Sequence, residues 1–306
     1  MTSRNNSSES AKESVTLSHL IMQKTATIRN NTRKGYLTLS HHIQQFHPQE
    51  IPVTNVTPEF CQSFARYLLQ QMKPNSARTY LQKLHTLLQQ CVVKGIIAKH
   101  PMASISDILP KYTPPERCFL LKQELKRLQS AACPHESTRL AFLFACHTGL
   151  RLSDIETLLW EDVHECNGRY MVVKKQVKTQ HEVRIPLDQY ATAILMSIRQ
   201  EPLSIKRPVF QLLSRTMIAQ DLRKWSQAAG LQKKVTFHVS RHTFATLMAS
   251  NQCDIFVVSQ LCGHTNIRTT QIYARLIDEA RFHAIDRLDS LFANTEPKSS
   301  LELRLR

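Results

Sequence analysis

Four prolines crowd together about one third of the way along the 306-residue chain, and they restrict its fold more than any other feature. They are Pro101, Pro110, Pro114 and Pro115. Proline fixes its own backbone torsion and has no N–H to donate, so no helix runs through this stretch. The prolines predict a linker over residues 106–115 between two domains, at residues 14–105 and 116–292. Residues 1–13 are polar and rich in Ser and Asn, and we expect flexible tails there and at residues 293–306.

The segment before the linker has the pattern of amphipathic helices. Thr57, Pro58 and Glu59 supply a capping hydroxyl, a first-turn proline and a first-turn acid. Because apolar residues follow at helical spacing, a helix should begin here, and a second one is predicted after Asn75, ending near Gly95. These apolar residues are Phe60, Phe64 and Leu68. We therefore predict a helical N-terminal domain.

After the linker the pattern is also helical, except for one stretch. Asn167-Gly168 is a strong hairpin signal, and the residues that follow it, 169–173, favour strands. Strand-like alternation resumes at residues 183–185. We predict a small three-stranded antiparallel sheet over residues 162–186, so the chain is mainly α, with the sheet confined to the second domain.

The charge of the chain points to an anionic partner. It has 40 Lys and Arg against 24 Asp and Glu, a formal net charge of +16, and both halves are positive. The longest apolar stretch, Leu140–Cys146, is too short to cross a membrane. The first fifteen residues lack the apolar segment of a secretory signal, so we expect a cytoplasmic protein.

Cysteine and glycine usage argues against several kinds of cofactor site. None of the eight cysteines forms a Cys-x-x-Cys pair, which disfavours a disulfide framework or a zinc site. None of the six glycines builds a phosphate-binding GxxxxGK[ST] or GxGxxG loop. We expect neither a metal nor a nucleotide cofactor.

Four segments carry residues suited to chemistry on an anion. A His-x-x-Arg spacing occurs twice in the chain. His181 and Arg184 fall on a predicted strand, where residues three apart point to opposite faces. His238 and Arg241 fall on a predicted helix, where residues three apart share a face, so only this pair can build a site. The four segments are Thr-Gly-Leu-Arg-Leu-Ser-Asp (148–154), Val-Lys-Thr (177–179), Phe-His-Val-Ser-Arg-His-Thr-Phe-Ala-Thr (237–246) and Leu-Cys-Gly-His-Thr-Asn-Ile-Arg-Thr-Thr-Gln-Ile-Tyr-Ala-Arg (261–275).

In this order the segments resemble the catalytic motifs of the tyrosine site-specific recombinases, the phage integrase family. The resemblance covers residues 116–280 and extends less strictly over residues 14–105, which look like the family's helical, SAM-like core-binding domain. It implies the DNA breaking-rejoining fold and relatives among the integrases of bacterial mobile elements. The catalytic residues that it implies are Arg151, Lys178, His238, Arg241, His264 and the nucleophile Tyr273.

The resemblance also implies the reaction and the partners. Double-stranded DNA with specific recombination sites would be cut through a 3′-phosphotyrosyl intermediate. Four protomers would exchange strands through a Holliday junction, without ATP or metal. The outcome would be integration or excision of a mobile element, or inversion of a DNA segment. An accessory protein could set the direction.

The chemistry of a phosphodiester gives each of these residue types a role. Two guanidinium groups, at Arg151 and Arg241, match the two non-bridging phosphate oxygens, and His264 would add a donor. A tyrosine is protonated at neutral pH, so Tyr273 needs a proton acceptor, for which His238 is the candidate. The departing deoxyribose oxygen needs a proton, which Lys178 could supply as general acid.

Several of these residues also fit plainer roles. Lys178 has Lys174 and Lys175 as neighbours, so it could belong to a solvated charge run. His242 lies about 100° round the helix from Arg241, which favours a packing role. Tyr273 could be a core residue. An amphipathic segment at residues 282–291 could dock into a neighbouring protomer or pack on its own domain.

Two other functions fit the same sequence. A type IB topoisomerase would use related chemistry to relax one duplex as a monomer. A non-catalytic DNA-binding regulator would need only the cationic surface.

Overall fold

The chain divides into two compact units between Pro115 and Glu116. The computed structural model describes residues 15–28, 30–104, 108–114, 117–200 and 204–274. The predicted tails at both ends and the amphipathic segment at residues 282–291 lie outside the described residues, as does part of the predicted linker.

The first unit is helical, as predicted. The Thr57 hydroxyl accepts a hydrogen bond from the Phe60 N–H at 3.2 Å and caps the helix Pro58–Gln71, which confirms the predicted helix start. The next helix begins at Pro74, before the expected start after Asn75, and ends two residues before Gly95. Apolar faces of the helices meet in one core. Within the described residues, the α-helices of this unit are α1 (Leu17–Thr27), α2 (Asn30–Phe46), α3 (Pro58–Gln71) and α4 (Pro74–Val93).

The second unit is also mainly helical and carries one small sheet, which confirms the predicted fold class. Its described helices are α5 (Lys122–Ser130), α6 (Glu136–Thr148), α7 (Leu152–Ile155), α8 (Gln189–Ile198), α9 (Arg215–Ala228), α10 (Phe237–Ser250), α11 (Ile255–Cys262) and α12 (Arg268–Ala274). Its strands are β1 (Val163–Cys166), β2 (Arg169–Lys175) and β3 (Glu182–Pro186).

The sheet is antiparallel, in the order β1-β2-β3, and its first turn is the predicted Asn167-Gly168. Both turn residues have positive φ, 52° and 73°, as a tight hairpin of this kind requires. The predicted first strand starts one residue too early. Asp162 ends a 3₁₀ turn instead, because its carboxylate accepts the Leu159 N–H at 2.9 Å and holds the chain in that turn.

Two apolar clusters stabilise the second unit. The larger one packs α6 against α10 and against the inner face of the sheet. A smaller one joins α10, α11 and α12. It consists of Phe244, Ala245, Ala249, Val258, Cys262 and Tyr273. This small core determines where the last described helix, and with it Tyr273, is held.

No helix among the described residues has the length and apolarity needed to span a bilayer. All eight cysteines are free thiols.

A buried carboxylate on α9 joins that helix to the start of α6. Asp221 is 2% exposed and accepts hydrogen bonds from the Thr138 hydroxyl at 2.7 Å and from the His135 ring at 2.9 Å. Because Thr138 is fully buried, removing the carboxylate would leave its hydroxyl without a partner.

We expect Asp221→Ala to destabilise the second unit by about 2 kcal/mol or more, the cost of losing buried polar partners. Urea unfolding followed by tryptophan fluorescence measures this, because both tryptophans, Trp160 and Trp225, lie in that unit. The matched control is Glu136→Ala, which removes an exposed ion pair with Arg139 and should cost about 0.5 kcal/mol or less. Equal effects of the two variants would show that Asp221 does not stabilise the fold in this way.

Candidate active site

Arg151 stands at the start of α7, directly after the turn that ends α6. Gly149 makes that turn with φ +69°, and a Cβ there would lie 2.5 Å from the Phe244 ring, so only glycine fits. The Arg151 guanidinium group donates to Gln176 Oε1 at 2.7 Å. It lies 3.9 Å from the buried carboxylate of Asp154, beyond hydrogen-bonding distance.

Arg241 is 2% exposed and projects from α10 toward the same place. Its two terminal nitrogens donate to backbone carbonyl oxygens, of Gly149 at 2.7 Å and of Cys262 at 2.5 Å. Burial, and then the positive charge of Arg241, lower the pKa of Arg151, so the two guanidinium groups are close enough to repel each other. A carbonyl oxygen holds a guanidinium group without cancelling its charge, so this pair attracts an anion.

Two histidines border the arginine pair. The His264 ring accepts or donates at Nδ1 with the Thr270 hydroxyl at 2.7 Å. Burial, and then the charges of Arg241 and Arg151, lower the pKa of His264 to about 3. Partial burial followed by the same two charges lowers the pKa of His238 to about 4, although this ring keeps an exposed face. Both rings are therefore neutral at pH 7, and each can donate one hydrogen bond.

Tyr273 lies on α12 and is 1% exposed, inside the small core. Its hydroxyl lies 2.5 Å from His242 Nδ1, and the Arg117 guanidinium carbon lies 5.9 Å from the centre of its ring. Burial raises the pKa of Tyr273 above its ordinary value, although the charges of Arg117 and Arg241 oppose that rise. The hydroxyl is therefore protonated at neutral pH, and it donates to His242 Nδ1 when the ring proton of His242 is on Nε2.

This contact corrects two of our expectations. His242 is not turned away from the site, because the packing of α12 on α10 brings Tyr273 onto its ring. His238 is not the ring at the phenol, although its centroid lies 4.5 Å from that of His242. Burial, and then the neighbouring His238 and Arg117, lower the pKa of His242 to about 4, so His242 is neutral at pH 7 and able to accept the phenolic proton.

Lys178 is exposed on the turn between β2 and β3. Its charge contributes to the low pKa of His238, so it lies within electrostatic reach of the cluster. The neighbouring Lys174 is buried and donates to Asp162 at 2.6 Å and to the Thr157 carbonyl at 2.5 Å. Lys174 is thus used inside the fold, whereas Lys178 is free to approach a ligand.

The structure thus gathers four of the six predicted residues tightly and places the other two at the edge. The arginine pair and His264 meet at the Cys262-Gly263-His264 turn, with Tyr273 in the core beside it. His238 and Lys178 are exposed and lie at the edge of this cluster. No group of three or more described His, Cys, Asp or Glu side chains is arranged to hold a metal ion.

The sequence also matches models of known families over most of its length. Residues 118–280 match the phage integrase family and residues 16–108 match the phage integrase SAM-like domain. This chain belongs to the phage integrase family. The predicted resemblance is therefore confirmed, and the chain is a tyrosine recombinase. The two other functions, a type IB topoisomerase and a non-catalytic regulator, find no support in the comparisons.

Curated relatives from the integrase family align along most of this chain. Tyrosine recombinase XerD of Pseudomonas aeruginosa is 26% identical over 293 residues, which cover 89% of this chain and 93% of that protein. Tyrosine recombinase XerD of Listeria innocua is 28% identical, and the match covers 66% of this chain and 72% of the relative.

Solved structures of integrases share the fold at lower sequence identity. A lambda integrase dimer bound to a COC′ core site superposes with a TM-score of 0.68 at 20% identity, covering 85% of this chain and 95% of that chain. XerH recombinase bound to a palindromic difH substrate has a TM-score of 0.70 at 17% identity, covering 86% of this chain and 80% of that chain.

The sequence did not point to two residues of this site, Arg117 and Gln176, and it favoured a packing role for a third, His242. His242 follows His238 by four positions on a helix, and that spacing places both rings on one face. This signal was available. No sequence motif indicates that Arg117, just after the linker, or Gln176, at the end of a strand, belongs to the site.

The histidine pKa values predict how stability depends on pH. An unfolded histidine has a pKa near 6.5, whereas His242 and His264 titrate at about 4 and about 3 in the folded protein. Between about pH 6.5 and pH 4 the unfolded state binds protons that the folded state refuses, so stability falls as the pH is lowered through this window. Above about pH 7 both rings are neutral in the folded and the unfolded state, so they do not make stability depend on pH.

We expect a lower melting temperature at pH 5 than at pH 7, and a smaller difference for His264→Gln than for the unmodified protein. Scanning calorimetry at the two pH values measures this. His164→Gln, which replaces an exposed histidine on β1, is the control and should leave the difference unchanged. If His264→Gln and the control behave alike, His264 is not held neutral by the fold.

Proposed function

We propose that this protein is a site-specific DNA recombinase that cuts and rejoins strands through a 3′-phosphotyrosyl bond to Tyr273. The observation that carries the proposal is the pair of guanidinium groups at Arg151 and Arg241, held by an amide and by carbonyl oxygens beside a buried tyrosine. Asp154, 3.9 Å from Arg151, offsets part of this charge but makes no hydrogen bond to the guanidinium group, so net positive charge is left for an anion. A DNA phosphate is the anion that the net charge of +16 favours.

The arginines would act on the non-bridging oxygens of the scissile phosphate. A guanidinium group offers two parallel donors and a fixed charge, so each arginine can hold one oxygen as negative charge redistributes in the transition state. His264 would add a neutral donor. When the Thr270 hydroxyl donates to Nδ1, the proton of the His264 ring is on Nε2, where it can point to a phosphate oxygen.

Tyr273 would be the nucleophile. Its oxygen forms a bond to phosphorus while the bond from phosphorus to the 5′ oxygen breaks, and the phenolic proton passes to a base. His242 Nδ1 lies 2.5 Å from this hydroxyl and accepts from it in the Nε2–H tautomer, and the exposed His238 lies beside His242. Because the side chain is 1% exposed, Tyr273 must leave the small core before it reaches DNA.

Lys178 would protonate the departing 5′ oxygen. The product is a tyrosyl phosphodiester, which keeps the energy of the bond that it replaces. Attack by the 5′ hydroxyl of a second strand can then reseal the DNA and release Tyr273, so the cycle needs neither ATP nor a metal ion.

The partners belong to the same proposal. We infer that the protein acts as a homotetramer on two double-stranded sites and passes through a Holliday junction, in the cytoplasm, to integrate, excise or invert a segment such as a mobile element. A solved lambda integrase tetramer bound to a Holliday junction, with a TM-score of 0.67 to this chain, supports the assembly. An accessory factor that sets direction stays a prediction.

Tyr273→Phe removes the nucleophilic oxygen and little else. On a nicked suicide substrate, we expect it to bind DNA within about threefold of the unmodified protein but to form no covalent complex that survives denaturant. The control is Tyr190→Phe, which alters a tyrosine on α8 and should still form the adduct. An adduct formed by the Tyr273→Phe variant would refute the proposal.

Lys178→Ala tests the general acid. We expect it to slow adduct formation by about 10²-fold or more on ordinary DNA, the usual contribution of such a group. On DNA whose scissile 5′ oxygen is replaced by sulfur, the loss should shrink to less than about tenfold, because a thiolate leaves without being protonated.

Lys175→Ala is the matched control, an exposed lysine at the end of β2. It should match the unmodified protein on both substrates. An equal loss for Lys178→Ala on oxygen and sulfur substrates would exclude Lys178 as the general acid.

A further inference from the structure

Gln176 lies at the centre of the site, although no step of the proposed reaction uses it. It follows the last residue of β2 and precedes the turn that carries Lys178, and it is fully buried. Its side-chain oxygen accepts from Arg151 at 2.7 Å and from the Thr179 hydroxyl at 2.9 Å. Its side-chain nitrogen donates to the Cys262 carbonyl at 3.1 Å.

The Cys262 carbonyl oxygen links this amide to the second arginine. It accepts from Gln176 and also from Arg241, at 2.5 Å. Among the described residues, Gln176 is the only one that hydrogen-bonds to the guanidinium group of Arg151. A chain of three hydrogen bonds therefore connects Arg151 to Arg241 through one amide and one carbonyl group.

The requirements of these partners select a glutamine. An arginine can only donate and a carbonyl can only accept, so the side chain between them must accept at one atom and donate at another. A glutamate could not donate to Cys262, and an asparagine is one methylene shorter. The same contacts fix the orientation of the amide, because a turned amide would set nitrogen against guanidinium and oxygen against carbonyl.

The opposing backbone is shaped to receive this amide. Gly263 has φ +62°, and a Cβ there would lie 2.5 Å from Gln176 Oε1 and 2.7 Å from Val183. Any larger residue would push the turn that bears His264 away from Gln176. The turn with Lys178 is also tied to the start of α7 through Asp154. The Asp154 carboxylate accepts the backbone N–H of Val177 at 2.9 Å and the backbone N–H of Arg151 at 3.3 Å.

We propose that Gln176 is a positioning residue that fixes the Arg151 guanidinium group relative to Arg241, at the spacing that the scissile phosphate needs. The inference rests on the proposed function, because it assigns Gln176 a part in that reaction. Gln176 does not touch the DNA. It removes the freedom of Arg151 to adopt other rotamers before the phosphate arrives, and misplacement of a catalytic group by about 1 Å can cost about 10²-fold in rate.

The test is a double-mutant cycle on the full-length protein, measured as single-turnover adduct formation on a nicked suicide substrate. Gln176→Met keeps the volume of the side chain but has no amide. We expect it to slow adduct formation at saturating DNA by about 10- to 100-fold while the DNA dissociation constant changes less than about threefold. In an Arg151→Ala background, Gln176→Met should cost less than about threefold more, because its effect passes through Arg151.

Two further variants complete the design. Gln176→Glu keeps the shape of the side chain but loses the N–H donor and neutralises the charge of Arg151, so its adduct formation should also be slow. It replaces Gln176→Met in the test if that variant does not fold. Gln227→Ala, an exposed glutamine on α9, should match the unmodified protein.

Three results would overturn the inference: an unchanged rate for Gln176→Met and Gln176→Glu, a loss explained by weaker DNA binding, or the same loss with and without Arg151. Failure of the proposed function is a separate result. In that case the unmodified protein itself would form no adduct that depends on Tyr273.

Discussion

The site depends on two like charges held side by side in the protein interior. Arg241 is 2% exposed, and its partners are backbone carbonyl oxygens of Gly149 and Cys262. Burying a guanidinium group without a carboxylate is unfavourable, and a second positive charge at Arg151 adds to the cost. The fold sustains the pair with hydrogen-bond acceptors at Gln176, Gly149 and Cys262, and with the buried carboxylate of Asp154, 3.9 Å from Arg151. An anion bound at the two guanidinium groups would relieve their repulsion, and the other groups of the site hold the pair in place for it.

The cationic field explains the state of the groups around it. His238, His242 and His264 all have pKa values lowered by burial and by nearby positive charges, so they are neutral donors and acceptors at physiological pH. Tyr273 is protonated in the same place because burial outweighs the field. The proposed reaction would therefore require two changes together: the Tyr273 side chain leaves the small core, and the phenol exchanges its contact with His242 for the phosphate.

Local patterns in the sequence predict much of this architecture. The cap at Thr57 and the hairpin at Asn167-Gly168 each act over a few residues, so they are visible without the structure. Gln176 and Cys262 are 86 positions apart, and His242 and Tyr273 are 31 apart. Contacts between residues so far apart in the sequence arise from the packing of whole helices and strands, and no short sequence motif predicts them. The resemblance to the integrase family supplied the six predicted residues but not the groups that hold them.

The central claim is that fixed positive charges neutralise the scissile phosphate, and changing the charge of that phosphate tests it most directly. In DNA with a neutral methylphosphonate at the scissile position, one non-bridging oxygen is replaced by a methyl group. We predict that Arg151→Ala slows adduct formation by about 10²-fold or more on ordinary DNA and far less on the methylphosphonate, because no negative charge remains to be neutralised. Equal losses on the two substrates would contradict the account.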